Sequence, residues 1–277
     1  MTVKIDRTNF EKATIKIKIL VLIPAVLFSI LFAEISNAAA DSKPSGREIA
    51  RRMYDRDIGK DSFAKIKMLL IDKRGHKKFR SMITAKKEYG NLEKSYIRFT
   101  APADIENTAF LTWENKDRDD DQFLYLPALK RVRRIVASRK KSRFVNTDYT
   151  YEDMQNRKVD EDHHRLINQE KCMGYDCWVI ESRPVDPENS QYARRISWVV
   201  KGADIPVKTE FYDKRGRKIK QYRAARLKKI DGIWTATEYE MHDLKRRHRT
   251  LMKLAEIRYN SGLEDRIFTK TYLQYGR

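Results

Sequence analysis

Apolar and polar residues alternate along most of this chain, which is the two-residue period of a β-strand with one buried face. In the segment 63–72, one face carries lysines and the other carries Ala64, Ile66, Met68 and Leu70. An Asp-Lys-Arg-Gly turn follows this segment and recurs later in the chain, between two further alternating segments. Glycine in such a turn accommodates the left-handed backbone that tight hairpins need. The pattern therefore indicates consecutive antiparallel hairpins.

The same alternation predicts about ten or eleven strands, joined mostly by short turns. Helical stretches are few, and strands and helices do not alternate as they do in a parallel sheet. The prediction is a mainly β fold, a single curved antiparallel sheet forming an unclosed half β-barrel with a few helices covering its opening. The predicted strands include 76–88, 95–100, 108–114, 122–126, 132–136, 178–183, 194–201 and 250–258.

A different period, typical of one amphipathic helix, occupies residues 47–60, with Ser45 as its expected N-cap. Short helices are predicted near 149–155 and at 262–267. The segment 268–274, Phe-Thr-Lys-Thr-Tyr-Leu-Gln, is predicted to be the last strand.

The N-terminus has the order of charges of a cleavable signal peptide. Basic residues precede residue 19, an uncharged run of 15 residues follows at 19–33, and small residues lead to Ala40. The run is short for a membrane span, which needs about 20 residues. We therefore predict cleavage of residues 1–40, a single domain at 41–277 and a soluble periplasmic protein, with an uncleaved anchor as the alternative.

The net charge of the chain indicates which classes of binding partner to expect. The formal net charge is +20, and it falls to +18 once the five basic and three acidic residues of the signal are removed. A charge of this sign favours acidic partners or anionic membrane surfaces. Export makes nucleic acid an improbable partner.

Two cysteines, Cys172 and Cys177, flank a glycine-containing turn. In an oxidising compartment this pair predicts a disulfide, with free thiols as the alternative. Redox or metal chemistry is disfavoured, because four residues separate the cysteines and no other ligand is adjacent.

No catalytic, nucleotide-binding or metal-binding motif occurs in the sequence. The adjacent His163 and His164 would point to opposite faces of a strand. The aspartate run 117–121 lacks the glycine and the distal glutamate of an EF-hand loop. We expect no cofactor, no metal and no enzyme activity.

Large apolar side chains on several strands favour a cavity for an acyl chain. Phe123 and Leu124 point to opposite faces of one strand, so both faces are covered or one of them lines a cavity. The alternative is an ordinary core under a covering helix. The candidates for the lining are Phe110, Trp113, Phe123, Tyr125 and Trp198.

A dense basic stretch follows the strand at 122–126. It is either a solvated face or a contact surface for anionic lipids, on which each cation contributes about 1 kcal/mol. The candidates for contact with a membrane or a partner are Arg131, Arg133, Arg134, Arg139, Lys140 and Lys141.

These segments carry a resemblance to a known family. FLYLPALKRVRRI, TDYTYEDM, WVVKGADIPVKTEFYDKRGRKIKQ and IFTKTYLQ resemble the LolA-like outer-membrane lipoprotein-sorting proteins, in particular the branch associated with RND-type exporters. The resemblance covers about residues 45–277. It implies a half-open barrel that accepts lipid chains and a non-catalytic role in carrying lipids or lipoproteins in the envelope. The alternatives are an accessory protein of an inner-membrane exporter and, third, an envelope hydrolase.

Overall fold

One antiparallel sheet contains every strand of the computed structural model, which describes residues 43–276. The predicted signal peptide at 1–40 therefore lies outside the described residues. None of the helices between residues 43 and 276 is long and apolar enough to cross a membrane. The strands are β1 (Asp61–Ile71), β2 (Lys77–Tyr89), β3 (Leu92–Ala101), β4 (Ala109–Trp113), β5 (Asp121–Leu126), β6 (Arg131–Arg134), β7 (Asp162–Cys172), β8 (Tyr175–Pro184), β9 (Arg194–Val200), β10 (Pro206–Tyr212), β11 (Lys218–Ile230), β12 (Ile233–Asp243) and β13 (His248–Tyr259).

Sheet order follows the chain with one exception. The order of the 13 strands is β6-β5-β4-β3-β2-β1-β13-β12-β11-β10-β9-β8-β7, so the first and last strands pair in the middle and β6 and β7 are the edges. Because these edges do not pair with each other, the barrel stays open. The predicted fold class is confirmed, with more strands than expected.

The sheet has an inner and an outer face, and β1 shows how sequence assigns them. Ile66 and Met68 are buried on the inner face, whereas Lys65 and Lys67 are exposed on the outer face. Across the ladders Ile66 faces Met82 and Leu254, which continue the apolar inner surface. The two-residue alternation therefore carries through to the barrel interior.

The segment that connects the two edges is folded onto the inner face, and we call residues 135–158 the plug. The ring of Phe144 packs against Phe99 and Phe110, with centroids 6.1 and 5.0 Å apart. Tyr151 packs against Phe110 at 5.7 Å, and the Arg80 guanidinium donates to the Val145 carbonyl at 2.7 Å. The plug therefore supplies the core for one end of the half-barrel.

A buried carboxylate fastens the plug to β13. Asp148 is fully buried and accepts hydrogen bonds from His248 Nδ1 and Thr250 Oγ1, both at 2.7 Å. The backbone N–H of Asp148 donates to the same threonine hydroxyl at 3.0 Å. A buried carboxylate is stable only with such partners, so this site fixes the position of the plug.

A second buried carboxylate fastens the plug to the strands on the other side. Asp153 accepts from Lys220 Nζ of β11 at 2.9 Å and from the Tyr192 hydroxyl at 2.7 Å. It also accepts from the backbone N–H of Thr150 at 2.8 Å, which closes a local turn. The helix predicted near 149–155 is wrong, because these residues form turns that direct acidic and aromatic side chains into the barrel.

The helix α1 (Gly46–Tyr54) confirms the predicted helix in a shorter form. Ser45 and Glu48 form a reciprocal capping box, which satisfies the first free N–H groups. Ile49 and Ala50 are buried against the inner face near Ile180. A Cβ atom on Gly46 would lie 2.5 Å from the backbone of β7, so only glycine permits this close contact.

The C-terminal segment is a helix and not the predicted strand. α2 (Lys270–Tyr275) begins after Thr269, whose side chain accepts from the Tyr272 N–H. A short 3₁₀ helix, Asp265–Phe268, precedes it. Phe268, at the end of the 3₁₀ helix, and Leu273, in α2, are buried together on the outer face of β4, whereas residues five apart on a strand would point to opposite faces. Burial of one face of the helix against the sheet therefore determines the structure of this segment, although its alternating apolar and polar residues had predicted a strand.

Both cysteine thiols are free, so the predicted disulfide is wrong. The hairpin turns at Met173 and Gly174, which both have positive φ. This register places Cys172 opposite Tyr175 and Cys177 opposite Glu170, so the two cysteines are diagonal neighbours and not a direct pair. Burial raises the pKa of the Cys177 thiol to about 11, which keeps it protonated and unreactive.

Lys220→Ala should destabilise the protein strongly. The Lys220 and Asp153 side chains are only 7% and 5% exposed, so the variant leaves a buried charge without its partner. We expect the free energy of unfolding to fall by about 3–5 kcal/mol in urea denaturation. Lys228→Ala, on the exposed surface of the same strand, should change it by about 0.5 kcal/mol or less. Equal effects of the two variants would show that Lys220 does not anchor the plug.

Candidate functional site

A cavity of about 520 Å³ lies between the inner face of the sheet and α1, at the end of the half-barrel that the plug leaves unfilled. Small-molecule sites in proteins are commonly about 300–1,000 Å³. Its wall is drawn from both halves of the sheet and from the last residues of the plug. The apolar and aromatic lining comprises Ala50, Met53, Tyr54, Ile58, Ala64, Ile66, Val159, Ile180, Ile205, Pro206, Phe211, Tyr222, Ile233, Trp234, Ala236, Tyr239, Leu254, Ile257 and Tyr259.

Aromatic side chains form one side of this wall. The rings of Tyr222 and Tyr239 lie 6.1 Å apart on adjacent strands, with Phe211 and Leu254 among the neighbouring lining residues. Burial raises the pKa of Tyr239 to about 12 and that of Tyr222 still further, so both phenols stay neutral at physiological pH. The wall is therefore suited to contact with an apolar ligand.

The helix α1 covers the cavity and reaches both halves of the sheet. Its buried side packs on β7 and β8, and at its C-terminal end the Tyr54 hydroxyl donates to Glu114 just beyond β4. The other oxygen of Glu114 accepts the backbone N–H of Glu93 at 2.7 Å. Since α1 is attached at both sides of the opening, we call α1 the lid.

A protonatable group lies beside this attachment. Burial, followed by the charge of Glu114, raises the pKa of Asp120 to about 7. Its Oδ2 atom is buried without a hydrogen-bond partner among the described residues. A neutral carboxyl suits this position better than a carboxylate, because a second negative charge beside Glu114 would be unfavourable.

Most charged residues elsewhere in the cavity wall are paired with one another. Asp162 accepts from the guanidinium groups of Arg195 and Arg157, the latter at 2.9 Å, and Arg157 also pairs with Glu161 at 3.3 Å. The Lys86 ammonium donates to Glu93 at 3.0 Å. These groups are paired and contribute little free charge to the cavity.

A serine and a histidine also meet in the cavity wall. The Ser182 hydroxyl lies 2.8 Å from His164 Nδ1, and His164 Nε2 lies 2.9 Å from the Val159 carbonyl. Burial lowers the pKa of His164, which favours the neutral ring. Ser182 lies within β8, which is paired on both sides, so the nearby backbone N–H groups belong to the ladder and cannot form an oxyanion hole. The pair is suited to a polar wall and poorly suited to acyl transfer.

Arg56 lines the cavity just after the lid ends. Its guanidinium donates to the Met53 carbonyl at 3.1 Å. Within residues 43–276, it has no carboxylate oxygen within the 4.0 Å of an ion pair. Trp234 is 38% exposed and lines the same cavity, together with Tyr259.

The aromatic residues predicted to line the cavity lie elsewhere. Trp113, Phe123 and Tyr125 are on the outer face, under α2. The indole N–H of Trp113 donates to the Phe268 carbonyl at 2.9 Å, and its ring meets Phe123 edge-on at 5.1 Å. Their burial is explained by the C-terminal helix, which the sequence pattern had suggested was a strand.

The other two predicted lining residues are also absent from the cavity wall. Phe110 is on the inner face but is fully covered by the plug. Trp198 is on the outer face, where its N–H donates to Glu170 at 2.6 Å and Lys208 lies over its ring at 3.8 Å. The actual lining was missed because it is assembled from strands that are far apart in the sequence, and the run 233–236 of β12 carries no signal that distinguishes a cavity wall from an ordinary strand.

The basic stretch divides into paired and exposed cations. Arg134 forms an ion pair with Asp121, and Lys140 is buried and bonded to Asp119 at 2.5 Å and Asn189 at 3.1 Å. These two residues are structural. Of the six candidate cations, Arg131, Arg133, Arg139 and Lys141 are exposed and form no ion pair within residues 43–276.

A second apolar hollow of about 470 Å³ lies on the outer face, around Leu69, Phe79 and Leu251. Phe79 is 69% exposed there. No helix within the described part of the chain lines this hollow, in contrast to the inner cavity under the lid. Residues 43–276 contain no group of three or more His, Cys, Asp or Glu side chains arranged to hold a metal ion.

Comparisons with known proteins agree with this architecture. A protein-family model with the description "-like: Uncharacterized protein" matches residues 91–275. A DUF1329 family protein from Desulfovibrio piger is 35% identical, with 82% of this chain and 97% of that chain covered and a TM-score of 0.78. No curated protein matches the sequence.

Two further crystal structures extend the comparison. One, described as an outer membrane lipoprotein-sorting protein domain from Vibrio parahaemolyticus, is 34% identical over 83% of this chain and 98% of that chain, with a TM-score of 0.78. A LolA superfamily protein from Nitrosomonas europaea is 20% identical over 83% of this chain and 100% of that chain, with a TM-score of 0.65. The last similarity concerns the fold alone.

The raised pKa of Asp120 predicts a pH-dependent loss of stability. Because its folded-state pKa of about 7 exceeds the usual 3.8, the stabilisation is complete below about pH 4 and is lost as the pH rises through 7. The full shift in pKa corresponds to a change of about 4 kcal/mol in the free energy of unfolding. We expect about half of that change to be measured, because the side chain is partly exposed. Urea denaturation of wild type and Asp120→Asn at about pH 5 and pH 8 measures the difference. A wild-type pH dependence matching that of the variant would contradict the assignment.

Proposed function

Because the chain belongs to the DUF1329 family, we propose that it is a non-catalytic carrier or binding protein for lipids or lipoproteins in the cell envelope. In this proposal residues 1–40 are an export signal, and residues 41–277 act as a single periplasmic domain. The lipoprotein-sorting description of the Vibrio parahaemolyticus relative supports such a role. The observation that carries the proposal is the cavity of about 520 Å³ between the inner face and the lid.

The chemistry of the wall supports an apolar cargo. Ile66, Phe211 and Leu254 expose carbon to the cavity, and the neighbouring tyrosines are neutral. Apolar surface facing water stabilises a bound acyl chain by about 25 cal/mol for each Å² that is buried. The paired charges elsewhere in the wall and the His164–Ser182 pair require no ligand to satisfy them. Binding therefore depends chiefly on the apolar side.

Release of a cargo requires the lid to move. The attachment on the β4 side of the opening includes the hydrogen bond from Tyr54 to Glu114, whereas the other side is a packed apolar contact around Ile49. A single hydrogen bond to a carboxylate contributes about 1.5–3 kcal/mol, less than a packed apolar face. We propose that the lid opens at the Glu114 side and stays attached at β7 and β8.

Leu254→Glu should abolish lipid binding if the inner cavity holds the cargo. The substitution places an unpaired carboxylate in the apolar wall, which costs several kcal/mol once a lipid excludes water. The measurement is retention of acyl lipids from an envelope extract, read by native mass spectrometry of purified wild type and variant. Melting temperatures measured in parallel show whether the variant is folded.

Phe79→Glu is the matched control, because it introduces the same charge into the outer hollow. We expect this variant to retain lipid as wild type does. Loss of lipid in Phe79→Glu alone would assign the cargo to the outer face. No lipid on wild type would contradict the carrier role and favour an accessory protein of an inner-membrane exporter, for which the described residues give no separate support.

We also propose that the exposed part of the basic stretch contacts anionic membranes. Arg131 and Arg133 belong to the edge strand β6, and Arg139 and Lys141 follow it in the plug. All four are exposed. Four cations near an anionic surface contribute about 4 kcal/mol, enough for transient attachment of a carrier to a membrane.

Reversing the charge of Arg131, Arg133, Arg139 and Lys141 to Glu should weaken binding to vesicles of anionic phospholipid. The loss should be largest at low salt, where screening is weakest. The control reverses four exposed cations elsewhere, Lys73, Arg74, Arg215 and Lys229, and so has the same net charge. Vesicle sedimentation measures the fraction of each variant that is bound to the vesicles. If the two variants bind equally, net charge and not this surface determines attachment.

A further inference from the structure

Arg56 is a cation of the cavity lining that forms no ion pair with any carboxylate of residues 43–276. Its guanidinium lies in the cavity lining and donates to one carbonyl, that of Met53. Glu93, whose charge acts on Arg56, is bonded to Lys86 through both oxygens at 3.0 and 3.2 Å. Asp57, its neighbour in sequence, accepts from the Gly59 N–H at 2.9 Å. Glu93 and Asp57 are thus engaged with other donors, and neither forms an ion pair with Arg56.

The other cations of the cavity differ from Arg56. Arg195 and Arg157 share Asp162, and Lys86 has Glu93. The Lys158 ammonium donates to the Lys116 carbonyl at 2.7 Å and is directed away to the loop after β4. Arg56 therefore retains most of its hydrogen-bonding capacity for a ligand in the cavity.

The surroundings of Arg56 have the character of a boundary between water and an apolar interior. Trp234 is partly exposed in the same lining, and the Tyr259 hydroxyl bonds to Thr235 at 2.8 Å. Tryptophan and tyrosine favour positions where one end of the ring is apolar and the other is wet. The apolar wall of Ile66 and Leu254 belongs to the same cavity.

We propose that the cargo is an acyl amphiphile with an anionic head group, and that Arg56 binds the head while the acyl chain occupies the apolar wall. This inference rests on the carrier function proposed above and adds the class of its ligand. A guanidinium forms two parallel hydrogen bonds with a carboxylate or a phosphate. Arg56 is solvent-exposed at the cavity, so a bound anion would replace water at its guanidinium with charge-assisted hydrogen bonds. A neutral lipid would leave Arg56 unpaired.

The test compares probes that share one chain and differ in the head. Oleate carries a carboxylate, oleoyl lysophosphatidate a phosphate and oleyl alcohol no charge. Calorimetric titration of the full-length mature chain, below the aggregation concentration of each probe, gives the three dissociation constants. We expect the anionic probes to bind about tenfold or more tightly than the alcohol, the scale of a hydrogen-bonded charge. A preference for both anions or for lysophosphatidate alone supports the proposal and distinguishes the two head groups.

Arg56→Gln should remove the preference by weakening the anionic probes about tenfold, with little effect on oleyl alcohol. Arg56→Glu should reverse the preference, so that oleyl alcohol binds more tightly than either anionic probe. Arg52→Gln is the matched control, since Arg52 is exposed on the lid and does not line the cavity. Thermal melting of each variant checks the fold.

The outcomes separate this inference from the carrier function. Equal binding of all three probes by wild type, or an unchanged preference in Arg56→Gln, would overturn the role of Arg56 and leave the carrier function intact. Failure of wild type to bind any probe would overturn both. Loss of the preference in Arg56→Gln but not in Arg52→Gln would establish that the cavity selects anionic amphiphiles.

Discussion

The structure depends on the attachment of the plug to the inner face by buried carboxylates. Asp148 meets His248 and Thr250 of β13, and Asp153 meets Lys220 of β11. Without these bonds, the inner face of an open barrel would expose its apolar residues along its whole length. With them, aromatic rings fill one end of the half-barrel, and the remaining space is a bounded cavity under the lid. The position and size of the cavity therefore follow from where the plug is fixed.

The chemistry of the cavity follows from how charge is distributed around it. Asp162 and Glu93 neutralise most of the cations in its wall, whereas Arg56 retains its charge for a ligand. On the outside, the cations Arg131 and Arg133 are exposed on the edge strand β6. A high positive charge thus has two separate uses in this account, selection of cargo inside and attraction to membranes outside. Both uses are proposals that rest on the family and the geometry.

The sequence predicted the fold better than the site. Alternation at Ala64, Ile66 and Met68 correctly indicated an antiparallel sheet with one apolar inner face. It could not show what covers the other face. Trp113 and Phe123 were assigned to a cavity because the segment that covers them, which includes Phe268 and Leu273, is helical and had been predicted to be a strand. Register likewise decides between a disulfide and two thiols, and register is not visible in the spacing of Cys172 and Cys177. No sequence pattern marks Arg56 as a site residue, because its role is inferred from the lack of an ion-pair partner among the described residues of the folded chain.

The central claim is that acyl cargo occupies the space between the sheet, the plug and the lid. The most direct measurement is a crystal structure of the protein with a fatty acid that carries bromine at the end of its chain, located by anomalous scattering. The account predicts a bromine peak on the inner face, beside Phe211 and Leu254, with the carboxylate toward Arg56. A peak in the outer hollow around Phe79, or a bound molecule outside the lid with the inner cavity unoccupied, would contradict it.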